Sequence, residues 1–442
     1  MKADASVATD SSAAMASEAG ADAYAPAPGG RSFKKLFLTL FLLGLRAGGL
    51  ASKFLLTLFI AKEMSLSDLG LYGLIAVGAT IVPSLLGLGL NGPAGRNCVG
   101  ASTAQGIRIA CTRVGITLAL HAVLTPLAVI GLAFWLPSTD LLLILLVAAI
   151  LILENISSDL NTLLMARFRT TFAATLLFLR SGAWPLVFIV CAWFEPQLRT
   201  VHGIMAFWLA ALLAVMLLLA GLSLSRGYHT LLHFDRSLAR ELLVRGRNFY
   251  VAEIGNAGAL YSDRFLVSTF LGLEATGIYT FFWSLTNAVN NLVFTAVTNP
   301  LAPRIIAAVN EGIKPAIRAA CAKMFKEVGL WSIGLAIFMA TLLPWVLHYL
   351  NNAKLDQHQL VFALMLGATV LRTISEAADN VLYAHHQDRR IAAISICAMV
   401  VSALLISAMA PFLGLLGAAM AMLGAALFVF TLRGMTARGL LR

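Results

Sequence analysis

Twelve stretches of mostly apolar residues follow one another along this chain, at 36–60, 69–95, 114–136, 141–165, 171–194, 201–225, 249–272, 277–301, 328–350, 360–384, 391–411 and 414–432. Each holds about 20 residues or more, enough to cross about 30 Å of hydrocarbon as a helix rising about 1.5 Å per residue. No other feature constrains the fold so much, because in lipid only helices and closed barrels satisfy their own backbone groups. With 60% apolar and only 12% charged residues, the chain has far more apolar surface than a single soluble core can take up. The expectation is an all-α polytopic membrane protein.

The net charge of +11 does not point to nucleic acid, because the basic residues fall between apolar runs rather than in one exposed patch. They instead set the orientation. Nearly all Lys and Arg lie on one side of the bilayer, and Lys62, Arg199 and Lys354 are the three assigned to the other. Positive charge is retained on the cytoplasmic side, so both termini are expected there. The outer loops are short, which disfavours an enzyme working outside the membrane. Residues 1–32 are rich in Ala, Ser, Asp and Pro, with no basic segment leading into an apolar one, and read as a disordered cytoplasmic tail. The segments that follow are a first lobe at 33–225, a cytoplasmic linker at 226–248, a second lobe at 249–432 and a cytoplasmic C-terminus at 433–442. Five scattered cysteines without a CxxC pair support neither a disulfide framework nor a metal site.

The lobes repeat. RAGGLASKFLL at Arg46–Leu56 aligns with NAGALYSDRFL at Asn256–Leu266, and after a three-residue shift Gly70-Leu71-Tyr72 matches Gly277-Ile278-Tyr279 while Pro93 falls on Pro300. Two six-helix halves in the same orientation form a cavity between them, as in transporters built from parallel repeats.

Charges inside the spans are where function is expected, since each costs about 2.5–3.5 kcal/mol near the bilayer centre. The cations are Arg46, Lys53, Arg180, Arg264 and Arg372; the acids are Glu154, Asp159, Glu253, Asp263, Glu376 and Asp379. Arg46 and Lys53 are two helical turns apart and share a face. They either pair with Asp263 or an acid of the tenth span, or line a wet cavity that binds an anion, for which Arg supplies a planar fork and Lys a compact charge. Arg180 and Glu154 sit at comparable depth and can form an ion pair. Arg372 can pair with Glu376 one turn on, leaving Asp379 without an intrahelical partner. Asp263, Glu376, Asp379, Glu154 and Asp159 are the carboxylates available to a coupling proton or sodium ion. Asn287, Asn290 and Asn291 of the eighth span either hydrogen-bond between helices or contact sugar hydroxyls. Gly87–Gly92 fits GxGxxG but lacks the strand that motif needs, and no Walker lysine motif is present.

SDRFLVSTFLGLEATGIYTFF, AKEMSLSDLGLYGLI and the TNPLAPR stretch at Thr298–Arg304 together resemble the Wzx-type polysaccharide and O-antigen flippases of the MOP exporter superfamily. The resemblance implies a MATE/MOP-like fold of about twelve helices in two lobes and a transporter rather than an enzyme. It implies movement of an undecaprenyl-pyrophosphate-linked oligosaccharide to the outer leaflet of a bacterial inner membrane by alternating access. A polysaccharide polymerase and export machinery would be partners beside membrane lipids, with no cofactor beyond an ion gradient. On this expectation Arg46, Lys53, Arg180, Arg264 and Arg372 line the cationic cavity, with Arg46 and Lys53 foremost. The alternatives are a cation-coupled multidrug exporter of the same superfamily, or a membrane-embedded sugar polymerase.

Overall fold

The computed structural model describes residues 33–135 and 140–441; the expected tail at 1–32 and the last residue of the expected C-terminal segment lie outside the described residues. The chain divides into two compact units, one ending at Gly44 and one beginning at Leu45. In the first, Phe37 and Phe41 stack 6.5 Å apart. All that follows concerns the second.

Twelve long helices carry the chain: α1 (Phe33–Glu63), α2 (Leu66–Leu86), α3 (Thr103–Trp135), α4 (Leu141–Ala166), α5 (Thr170–Phe194), α6 (Val201–Ser225), α7 (236–271), α8 (273–311), α9 (Lys314–Leu350), α10 (Gln359–Ala384), α11 (388–413) and α12 (415–441). Among the described residues ten helical runs are long and apolar enough to span a bilayer, with the continuous 249–311 and 389–441 each counted once, and the protein is a multi-pass membrane protein. Helices α7 and α8 run on almost without interruption, separated by Gly272 at φ 83°, and α11 and α12 are separated by Gly414 at φ 60°. The connection at 302–327 consists of helical extensions of α8 and α9 joined at 312–313.

Local chemistry sets the turns. Ser65 caps α2 by accepting from the Asp68 amide, and the Asp68 carboxylate accepts in return from Ser65. At the equivalent place in the second half, Gly272 makes the break with a left-handed backbone that a side chain would strain. The repeat also extends to positions with no sequence likeness. In the α4–α5 turn Arg167, Phe168 and Arg169 donate to Leu163, Met165 and Leu164; in the α10–α11 turn His385, His386 and Gln387 donate to Val381, Tyr383 and Leu382. The middle residue is left-handed in both, at φ 58° and 56°.

The two halves meet where the repeat predicts. A Cβ on Gly70 would collide with the Leu273 carbonyl, and one on Gly277 with the Leu66 carbonyl. Leu66 and Leu273 stand the same distance along the chain as the two glycines, so the contact is self-complementary about a pseudo-twofold axis between α2 and α8. Around it, at the end of the molecule bearing the 63–66 turn, one continuous core joins both halves, including Leu56, Ile60 and Leu69 of the first and Phe281, Phe282 and Phe362 of the second. At the other end the core divides. Leu90, Ala94, Ile109 and Leu163 pack with the start of α7, while Val293, Ile305, Met324 and Val381 form a separate cluster. Within the second unit, the joined end of the core is the closed end and the divided one the open end.

Candidate functional site: a cavity between the two halves

Between the halves lies a cavity of about 670 Å³, walled by α1, α2, α4, α5 and α6 on one side and by α7 and α8 on the other. Of the expected site residues, Lys53, Arg180, Arg264, Glu154, Asn287 and Asn291 line it. Arg46, Arg372, Asp159, Asp263, Glu376, Asp379 and Asn290 are not among its lining residues.

On the first-half wall, Arg180 sits in a π-helical turn at Leu179–Ala183, a local widening of the helix that often marks functional positions. Its Nη1 donates to Glu154 Oε2 at 2.5 Å, and Trp208 Nε1 donates to Glu154 Oε1 at 3.0 Å. The two side chains are each about nine-tenths buried, so this is a compensated pair holding α4, α5 and α6 together. Trp184 stacks on Trp208 at 5.4 Å and 11°. Lys53 is different: exposed to the cavity, it has no ion pair or hydrogen bond among the described residues.

On the second-half wall, Arg264 is 2% exposed and lies 3.5 Å over the Trp283 ring. Its Nε and Nη2 find no acceptor. The neighbouring Asp263 is already engaged, accepting from Tyr279 Oη at 2.8 Å and from the Arg264 amide at 2.9 Å. Neither Asp263 nor an acid of α10 forms an ion pair with Arg46 or Lys53.

Several expected partnerships resolve differently. Arg372 does not pair with Glu376: its Nη2 donates to Asn287 Oδ1 at 2.9 Å, and Glu376 accepts from Asn290 Nδ2 at 2.9 Å. Two of the three expected sugar-contacting amides, Asn287 and Asn290, are thus engaged with α10, while Asn291 lines the cavity. Asp379 does have a charge partner, Arg433 of α12 at 3.3 Å. Asp159 is bound to Arg113 at 2.7 Å and to Thr117 at 2.7 Å, with both charged side chains fully buried. Arg113 and Arg433 had counted among the residues outside the membrane. They stand one residue outside the apolar stretches 114–136 and 414–432, and because the helices run on past those stretches both side chains are buried within the protein. Arg46 is exposed, is not among the lining residues, and has no ion pair or hydrogen bond among the described residues.

The chemistry of the lining was only partly visible in the residues. Thr280, Trp283 and Asn287 recur at helical spacing on α8 and share a face, a signal present in the sequence; that Trp184 and Trp208 meet from two helices was not. Buried lining atoms without a partner are Arg180 Nε, Trp184 Nε1, Arg264 Nε and Nη2, Thr280 Oγ1, Trp283 Nε1 and Glu253 Oε2. All but the Glu253 oxygen and the two-way Thr280 hydroxyl can only donate. Buried donors without partners and two cations that form no close ion pair, Lys53 and Arg264, suit a ligand rich in acceptor oxygens. Among the described residues no group of three or more His, Cys, Asp or Glu could hold a metal ion.

Comparison with known structures places the fold. A multidrug resistance MATE family transporter of the MOP superfamily in its inward-facing conformation superposes with a TM-score of 0.71 at 14% identity, covering 88% of this chain and 94% of that one. The outward-facing conformation of such a transporter gives 0.61 at 14% identity, with 91% and 96% covered. A MOP superfamily transporter from Pyrococcus furiosus Vc1, described as having a binding pocket of reverse polarity, gives 0.57 at 13% identity, with 92% and 95% covered. A search of curated proteins finds no match. The polysaccharide biosynthesis protein family matches residues 40–309. That match spans more than half of the chain, and with the MATE-type fold around its donor-lined cavity the protein belongs to the polysaccharide biosynthesis protein family.

Proposed function

We propose that this protein is an exporter of the MOP superfamily that flips a polyprenyl-pyrophosphate-linked oligosaccharide across the cytoplasmic membrane of a bacterium, for assembly of a surface polysaccharide. The observation that carries the reading is the lining: unpartnered donors and two cations that form no close ion pair, Lys53 from α1 and Arg264 from α7. Phosphate and sugar hydroxyl oxygens satisfy such a wall, whereas an organic cation would meet repulsion and too few acceptors.

The open end faces the cytoplasm on the charge asymmetry of the loops. A head group enters there and is held between the halves. The halves then rock against each other, closing the divided end and parting the α2–α8 contact at the joined one. The gradient that drives this acts through a carboxylate. Glu253 of α7 is suited, since it lines the cavity with one unpartnered oxygen, the other carboxylates named above, save Glu154, lying outside the lining, and Glu154 being held by Arg180 and Trp208.

The test uses proteoliposomes loaded with a lipid-linked oligosaccharide, following its exposure to an added sugar-cleaving enzyme with and without proton or sodium gradients. Protein-dependent exposure that is lost in Lys53→Gln supports the reading, and the gradient required names the coupling ion. No exposure, with uptake of an organic cation into the same vesicles, overturns it in favour of a multidrug exporter.

A further inference from the structure

Arg264 and Trp283 pose a physical problem that the general reading leaves open. A guanidinium 2% exposed lacks acceptors at two of its nitrogens, although such a group normally carries several hydrogen bonds when buried. Its stabilisation comes from the face of Trp283, 3.5 Å away, an attraction worth about 2 kcal/mol when desolvated. Both side chains line the cavity. Trp283 has its own unpartnered Nε1–H, and Thr280, one turn earlier on α8, has an unpartnered hydroxyl. The Tyr261 ring lies 6.4 Å from that of Trp283, closing the side of the cluster.

The guanidinium is therefore parked on the indole. An anion in the cavity competes with the ring for it, and drawing Arg264 toward a phosphate uncovers the Trp283 face. An exposed indole is a platform for the apolar C–H face of a sugar ring, with its Nε1–H free for a hydroxyl. The two groups are adjacent, as the phosphate and the first ring of a glycosyl phosphate are.

Resting on the function proposed above, we propose that Arg264 and Trp283 form one subsite for a glycosyl phosphate, the guanidinium taking the phosphate and the indole the sugar directly attached to it. Thr280 supplies a further hydrogen bond at the rim. The subsite reads phosphate and sugar jointly, because the ring is available only once the arginine has moved. It sits wholly on the second half, so the head group is first held by α7 and α8, with Lys53 of α1 reaching it from across the cavity.

The experiment measures tryptophan fluorescence of the purified full-length protein in detergent, with Trp283→Phe identifying the contribution of Trp283. The probes are N-acetylglucosamine, inorganic phosphate, N-acetylglucosamine 1-phosphate, and the same sugar joined through pyrophosphate to a fifteen-carbon prenyl chain. The subsite requires that the sugar phosphate change the Trp283 signal and bind more tightly than sugar or phosphate alone. Arg264→Gln should weaken it about tenfold or more, the scale of one lost charge-assisted bond. Trp283→Phe should keep phosphate binding and lose the preference for the glycosylated form. Arg264→Lys, which keeps the charge without the fork, should fall between and serves if the glutamine variant does not fold. If the prenyl-linked probe alone binds, the subsite reads the lipid-linked form, and the same variants test it.

Binding that survives in both Arg264 variants, or a preference for the sugar phosphate unchanged in Trp283→Phe, overturns the subsite. Such binding, if abolished by Lys53→Gln, leaves the flippase reading standing. No binding of any phosphorylated probe, with binding of an organic cation, overturns both.

Discussion

The two ends of the cleft between the halves are built on opposite principles. At the closed end the halves meet through backbone: Gly70 and Gly277 let α2 and α8 approach until each helix lies against the other's carbonyls, and a continuous apolar core surrounds the contact. The outer tips add few polar ties, such as Lys62 over the Tyr349 ring at 3.5 Å. Toward the open end the halves touch through backbone only where the start of α7 lies on the first half, at Gly89 and Gly246, and each half is tied within itself by ion pairs: fully buried Arg113 with Asp159 in the first, Arg433 with partly buried Asp379 in the second. Apolar contacts between smooth surfaces can part and re-form. Buried ion pairs cannot be separated without stranding a charge. On the function proposed above, the difference assigns each half a rigid-body role at its open end and makes the closed end the surface that separates.

Replacing one member of an open-end pair tests that rigidity most severely. Arg113→Ala leaves Asp159 charged at zero exposure and should cost about 3–5 kcal/mol, read as a large fall in melting temperature in detergent. Replacing both partners by apolar residues of similar size should recover most of it; failure to recover would mean that the pair does more than hold its half together.

The closed end is probed by volume rather than charge. Gly70→Val or Gly277→Val should destabilise by about 1–3 kcal/mol, and both should lose transport, because the colliding atom is a backbone carbonyl that cannot rotate away. Gly78→Val, where the nearest atom to an added Cβ is 3.9 Å off, is the control. Equal effects at all three positions would undo the claim that the α2–α8 contact is special.

In the cavity between the ends, Lys53→Gln should abolish flipping while changing stability by no more than about 0.5 kcal/mol, since the lysine has no partner to strand. Arg46→Ala should leave stability unchanged and slow transport only modestly, as an exposed charge outside the lining acts through long-range attraction; initial transport rates at low and high salt separate the two. The smallest effect is at a helix start outside the cavity. Asp140 caps α4 by accepting from the Leu142 amide, and that hydrogen bond, reinforced by His202, holds its carboxyl below the usual range. Its contribution is present above the ordinary carboxylate pKa and fades as pH falls through the depressed value, so Asp140→Ala should lower the melting point slightly at neutral pH and not at strongly acid pH.

Much of the architecture was legible because a bilayer leaves few options: apolar length gave the twelve spans, and the RAGGLASKFLL and NAGALYSDRFL pair with the shifted Gly-x-Tyr gave the two-lobed repeat. The site was legible by residue type and not by partnership. Lys53, Arg180, Arg264 and Glu154 reach the cavity, and the Arg180–Glu154 pair forms, yet Arg46 does not reach it and Arg372, Glu376, Asp379 and Asp159 find partners on other helices. A charge inside a span says that something must compensate it. Which group does so depends on neighbouring helices more than on spacing along one.

By itself, then, the sequence determined the membrane, the number of crossings, the duplication and the positions of the intramembrane charges, because hydropathy and internal likeness are properties of a single strand of chain. Tertiary structure decided which of those charges are neutralised and which stand free, that the two glycines meet each other across the axis, and that Arg264 rests on Trp283. Those are distances between segments far apart in the chain, and only the packing of one helix on another fixes them.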